Sequence, residues 1–187
     1  MKGIIALALK DMVTRQHGSA VWREILDKAG VPARTTILAT SDIPDEVVLG
    51  VIKTTCERLG ISLQEAADAF GHHWVNEFAN RIYPLYFRRA DNAREMLLNM
   101  DKVHDVTTRT MANAHPPRFD YEEPDSGTLI MTYKSERGLM PILVGLIRGV
   151  GTYYGEELEL EVLNDERVRI RFPQRRTAEA EAPRARG

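Results

Sequence analysis

A chain of 187 residues, 43% hydrophobic and 28% charged, suits one domain or two closely packed subdomains with a sizeable core. Its net charge of -2 argues against a generic polyanion binder and makes nucleic acid a poor partner. The single cysteine, Cys56, excludes a disulfide within these residues and any multi-cysteine metal site, which fits a reducing compartment.

At the amino terminus, Lys2 followed by Gly3-Ile4-Ile5-Ala6-Leu7-Ala8-Leu9 looks faintly like a signal peptide. The apolar run stops at Lys10, short for such a region, and Ile4, Ile5, Ala8 and Met12 have helical spacing. The expectation is a mature amphipathic helix, and no stretch approaches the length of a membrane span. Gly18-Ser19 then caps a helix carrying Val21, Trp22, Ile25, Leu26 and Ala29, ended by Gly30 and Pro32. Ser41-Asp42 and Pro44 start the next, bearing Val47, Val48, Val51, Ile52 and Cys56 and stopping at Gly60. Cys56 reads as a core residue, not a reactive thiol.

Ser62-Leu63-Gln64-Glu65 is a capping box, because Ser62 and Glu65 can satisfy each other's free helix-start amides. The helix it opens carries Ala66, Ala67, Phe70, Trp74, Phe78 and Ile82 and ends at Pro84. A further helix runs from about Asn92 to Met111, closed by Ala114-His115-Pro116-Pro117. Then the period changes. Leu129, Met131, Tyr133 and Ser135 alternate with Thr128, Ile130, Thr132 and Lys134, which is strand spacing. A helix over about Leu139–Tyr154 precedes a hairpin that sets Glu157, Glu159 and Glu161 against Arg167, Arg169 and Arg171 around an Asn164-Asp165 turn. That charge pairing reads as strand registration. Residues 173–187 lack large apolar side chains and are expected to form a flexible tail.

His104 is the residue with the most chemistry. It shares a helical stripe with Ala93, Met96, Leu97 and Met100. Such a histidine is ordinarily structural, hydrogen-bonded and neutral. Heme iron, however, asks for a neutral imidazole on a rigid element with apolar packing around the porphyrin, which Met100 and Leu97 supply. Downstream, Tyr133, Ser135 and Arg137 stand at alternating positions, so on a strand their donors share one face and suit the two propionates of a heme. A strand end with ordinary polar residues would read the same way.

The residues together resemble the heme-nitric oxide/oxygen binding (H-NOX) domain family, related to the sensory domain of soluble guanylate cyclase and to bacterial-type free-standing sensors. The resemblance runs from Met1-Lys2-Gly3-Ile4 through the last hairpin. Its marks are Asp101-x-x-His104, Pro116-Pro117-Arg118 and Tyr133-x-Ser135-x-Arg137, with Gly18 and Trp22, Phe70-Gly71 and Gly145-Leu146-Ile147 in similar places. It implies an α+β fold, a helical subdomain over about 1–62 followed by an α+β subdomain over about 63–172 that enclose one non-covalent heme b. It makes His104 the proximal iron ligand and Tyr133, Ser135 and Arg137 the propionate clamp. Pro117 becomes the residue that presses on the porphyrin. Ile5, Leu9, Trp74, Phe78, Ile142 and Leu146 become the distal wall.

Oxygen-binding members have a distal tyrosine where this chain has Ile142. The resemblance therefore implies a ferrous heme that binds nitric oxide and carbon monoxide but not, stably, oxygen. Trp74, an indole donor by chemistry, reads as a steric wall. It also implies that nitric oxide weakens the iron–His104 bond, freeing the His104 helix, relaxing the porphyrin from Pro117 and rotating the subdomains. The output would pass to a separate cytoplasmic partner, such as a histidine kinase, a cyclic-di-nucleotide enzyme or a chemotaxis protein, with no role for membrane or nucleic acid. The rivals are an oxygen-binding heme protein, a heme-free interaction module and a heme enzyme; the apolar distal wall lacks the acid–base group a peroxidase needs. His72 and His73 adjoin the distal helix and are expected at the surface, as are His17 and His115.

Overall fold

A computed structural model describes residues 1–32 and 34–173; the tail expected over 173–187 lies, but for its first residue, outside the described residues. The first helix, α1 (Gly3–Lys28), is interrupted at Gly18, whose φ of 87° and ψ of 160° suit glycine alone. The pair of helices expected there is thus a kinked continuation. α2 (Asp45–Leu59) follows Pro44, places Asp45 and Glu46 where the helix dipole favours them, and stops at left-handed Gly60. Cys56 on this helix is half-buried, not core, and burial pushes its thiol up, away from reactivity. The Ser62–Glu65 capping box opens α3 (Leu63–His73).

Here the structure departs from the expected continuous helix. After His73 the chain widens into a π-helical segment, Trp74–Ala79, before short helices α4 (Asn80–Ile82) and α5 (Pro84–Arg88). The expected single His104 helix is likewise two pieces, α6 (Ala93–Leu98) and α7 (Met100–Thr108), parted at Asn99.

The sheet has four antiparallel strands, β1 (Arg118–Asp125), β2 (Thr128–Lys134), β3 (Glu159–Val162) and β4 (Arg167–Arg171), in the order β1-β2-β4-β3. The acidic and basic strands pair as expected, with Glu159 opposite Arg171 and Glu161 opposite Arg169. Arg169 Nη1 lies 2.5 Å from Glu161 Oε2. The edge strand β1 was not expected. Between β2 and β3 runs α8 (Met140–Tyr154).

Two cores result. Leu9, Met12, Trp22, Ile25, Val51 and Phe70 form one around α1. Leu97, Phe119, Tyr133, Met131 and Ile147 belong to the other, between sheet, α6 and α8. Trp74 packs against both. The α3–α8 crossing brings backbones into contact: a Cβ on Gly71 would stand 2.1 Å from the Gly145 carbonyl carbon, and one on Gly149 2.4 Å from the Gly71 oxygen. No helix among the described residues is long and apolar enough to cross a membrane.

Candidate functional site

Upstream of the sheet, α7 presents His104. Its Nδ1 lies 3.0 Å from the Pro117 carbonyl oxygen. A carbonyl only accepts, so Nδ1 carries the proton and Nε2 keeps a bare lone pair. Burial pushes the pKa of this ring down, outweighing the rise caused by Pro117 and Asp101, and keeps it neutral. A neutral imidazole with one nitrogen tied to a carbonyl and the other free is the form that ligates a metal. The Thr107 and Thr108 hydroxyls donate back to Val103 and His104 carbonyls, which satisfies them within the helix.

Two residues of the Asp101-x-x-His104 and Pro-Pro-Arg motifs join here without having been given roles by sequence. Arg118 grips Asp101 bidentately, Nε at 2.7 Å and Nη2 at 2.6 Å, and the Phe119 amide donates to the same carboxylate at 3.0 Å. The Arg118 bonds hold the Asp101 carboxyl down at about 2. The helix start and the strand start are thereby locked one turn from His104 and beside Pro117. Spacing alone gave no sign of this, because the partners are 17 positions apart.

The clamp residues are arranged differently from the strand argument. β2 ends at Lys134, so Ser135 and Arg137 lie in the turn before α8, and the shared strand face expected of the three does not exist. Tyr133 is buried beside Phe119, ring centroids 6.1 Å apart, and Phe119 in turn lies 5.6 Å from the His104 ring. Ser135 and Arg137 line a cleft of about 660 Å³ with Pro116, His115, Pro44 and Asp45; His104, Pro117 and Tyr133 are not on its lining. Arg137 Nε reaches Asp45 Oδ2 at 2.6 Å and Nη1 the His115 carbonyl at 2.7 Å. That leaves Nη2 for an anion.

On the other side, Ile5, Trp74, Phe78 and Ile142 pack on the α1 core that contains Leu9, while Leu146 and Met100 pack on the sheet-side core that contains Leu97. Trp74 stacks between Phe70 and Phe78, at 5.9 and 5.7 Å with 27° between planes in each case. His72, His17 and His115 are exposed as expected. His73 is not: it is 1% exposed, its Nε2 3.0 Å from Asp11, because α3 turns that face onto α1.

The residues fit a heme. Among the described residues no group of three histidine, cysteine or acidic side chains is placed to hold a metal ion, so a metal at His104 would need to bring most of its ligands with it, as a porphyrin does. Apolar side chains of the two cores meet at Trp74, which packs against both, and the Arg137 guanidinium stands on the cleft beside Ser135.

Comparison with known proteins agrees. The haem-NO-binding family model matches residues 2–162. Soluble guanylate cyclase gcy-35 of Caenorhabditis elegans is 24% identical over 167 residues, covering 87% of this chain and 24% of that protein. Soluble guanylate cyclase gcy-32 of the same organism is 22% identical over 154 residues, covering 80% and 22%. The chain thus spans about a quarter of the length of these relatives. An H-NOX protein from S. oneidensis in the Fe(II)NO ligation state superposes with a TM-score of 0.83 at 20% identity, covering 92% of this chain and 99% of that one. An oxygen-binding H-NOX domain in its oxygen complex gives 0.80 at 25% identity, covering 92% and 95%. One neighbour holds nitric oxide and the other oxygen, so shape does not choose the gas. The chain belongs to the haem-NO-binding family, the heme-binding gas-sensor domains of the H-NOX fold.

Proposed function

We propose that this protein is a nitric oxide sensor holding one non-covalent heme b, which also takes carbon monoxide and holds no stable oxygen. The observation that carries the reading is His104: a neutral ring, protonated at Nδ1 by its bond to Pro117, with Nε2 free. A heme held by His104 would supply a ferrous iron able to take a diatomic gas. Arg137, Ser135 and the Tyr133 hydroxyl would hold the propionates, and Pro117, Met100 and Leu97 would press on the proximal face. Ile5, Leu9, Trp74, Phe78, Ile142 and Leu146 would form the distal wall. Ile142 has no hydroxyl to offer a polar ligand, which disfavours oxygen relative to nitric oxide.

His104 is also the handle for output. A ring released at Nε2 would keep its Nδ1 bond to Pro117, and α7, which buries none of its side chains fully, would then be held only by that bond and by the Asp101 contacts to β1. Arg137, shared between the clamp and Asp45 of α2, carries a disturbance into the helical half. The change of surface is read by a separate cytoplasmic partner of the histidine kinase, cyclic-di-nucleotide enzyme or chemotaxis class. Absorption spectra of the ferrous protein, alone and then with air, carbon monoxide and nitric oxide, test the reading. A five-coordinate nitrosyl spectrum and an unchanged ferrous spectrum in brief air exposure are expected. A stable oxygen complex, with Trp74 as donor, overturns the gas assignment; a nitrosyl that stays six-coordinate overturns release of His104.

A further inference from the structure

Outside the residues proposed to touch heme, His73 is a buried ring, 1% exposed. Each nitrogen of this buried ring faces a carboxylate from a different element. Nε2 lies 3.0 Å from Asp11 Oδ2 on α1, and Nδ1 lies 3.5 Å from Glu77 Oε2 in the π-helical segment. Arg15 closes the group, with Nε 2.9 Å from Asp11 and Nη1 3.8 Å from Glu77. Burial pushes the Asp11 carboxyl up, but Arg15 and His73 outweigh it and hold it below its ordinary range. A polar ring is costly to bury unless such bonds are made, and the bonds are directional where apolar packing is not.

The ring's neighbours show what is being held. His73 immediately precedes Trp74, and Glu77 precedes Phe78, the two stacked aromatics of the distal wall. Asp11 follows Leu9 on the helix that also carries Ile5. A π-helical turn is rare and irregular, so its register against a neighbouring helix benefits from an outside tie.

We propose that His73 is the positioning residue of the distal wall: hydrogen-bonded to Asp11 and facing Glu77 with its other nitrogen, it fixes the π-helical turn against α1 and sets where Trp74 and Phe78 stand over the gas-binding face. The proposal rests on the heme reading above. Leucine at this position would fill the volume but leave the turn free to slide along α1.

The test compares His73→Leu, Asp11→Ala and the double variant, heme-loaded, by the C–O stretch of the ferrous carbon monoxide complex and the rate of carbon monoxide loss. Each single variant should broaden the C–O band and speed dissociation about fivefold, or ~1 kcal/mol, the scale of one hydrogen bond. The double variant should be no worse than either single, as for partners in one interaction. Asp11→Asn, which keeps an acceptor oxygen, should fall between wild type and Asp11→Ala. A wild-type band and rate in Asp11→Ala, or additive effects in the double, overturn the proposal. Asp11→Ala leaves the buried ring in place and decides the matter even where His73→Leu does not fold. In the cofactor-free protein the same variants should weaken the near-ultraviolet circular dichroism of the Phe70–Trp74–Phe78 stack, again without additivity. That readout needs no heme, so a wild type that takes none sinks the heme reading while the tie between His73 and Asp11 is still judged.

Discussion

The two faces of the candidate heme site are held by different physics. On the proximal side α7 buries no side chain fully and is positioned by directed polar bonds: His104 to Pro117, and Asp101 to Arg118 and to the Phe119 amide. On the distal side α3 and α8 touch backbone to backbone through Gly71, Gly145 and Gly149, and Trp74 is wedged in an aromatic stack. An element held by a few bonds moves when one of them is changed. An element packed at crystal-like density does not. On the reading proposed above, the contrast would make α7 the part that moves and α3–α8 the frame against which it moves.

His104→Gly attacks the proximal side at its centre and should have the largest effect. The protein should lose the proximal iron bond while Arg137, Ser135 and Tyr133 still retain some heme, and added imidazole should restore the ferrous spectrum. A variant with an unchanged ferrous spectrum would remove His104 from the site altogether. On the distal side, Gly71→Ala should cost about 3 kcal/mol in denaturant unfolding, because the new methyl meets Gly145 backbone that cannot swing aside. A loss under ~1 kcal/mol there would mean that the frame is softer than the contrast requires. Ile142→Tyr is smaller still. It adds one hydroxyl beside a wall otherwise apolar, and the hydrogen bond it offers, ~1.5 kcal/mol, should turn air exposure of the ferrous protein into a visible oxygen complex.

The same contrast explains what could be read in the sequence. The α8 helix, the β3–β4 hairpin with its acid–base registration and the Ser62 capping box were legible, because each is a local pattern. Strand β1 was not, since Phe119 and Tyr121 are its only apolar residues before an acidic, proline-containing end, a composition tolerated at a sheet edge. The π-helical turn has a faint trace in the sequence: Phe70, Trp74, Phe78 and Ile82 step by four, and each such step overshoots an α-helical turn by about 40°. A widened turn lets four-residue steps hold one face. Partners far apart in the chain, Asp11 with His73 and Asp45 with Arg137, have no local signature, so the burial of His73 and the dual role of Arg137 appear only in the fold.

The smallest effect is the most direct measure of how α7 is held. The Asp101 carboxyl sits at about 2 in the folded protein, below its ordinary 3.8. A depressed carboxyl stabilises the fold fully above its unfolded value, and the contribution is lost as pH falls through the folded one. The window therefore runs from about pH 4 down to about pH 2. Arg118 is half exposed, so water screens the pair and its contribution should be small. Asp101→Asn removes the titrating group while leaving the other depressed carboxyls, Asp11, Asp42, Asp45 and Glu65, to titrate in both proteins and cancel. The stability gap between wild type and Asp101→Asn, measured by urea unfolding, should be constant above the window and shrink within it. Parallel curves would show that the Asp101–Arg118 pair is not what holds α7 to β1, leaving the Pro117 bond to His104 as the proximal side's main tether.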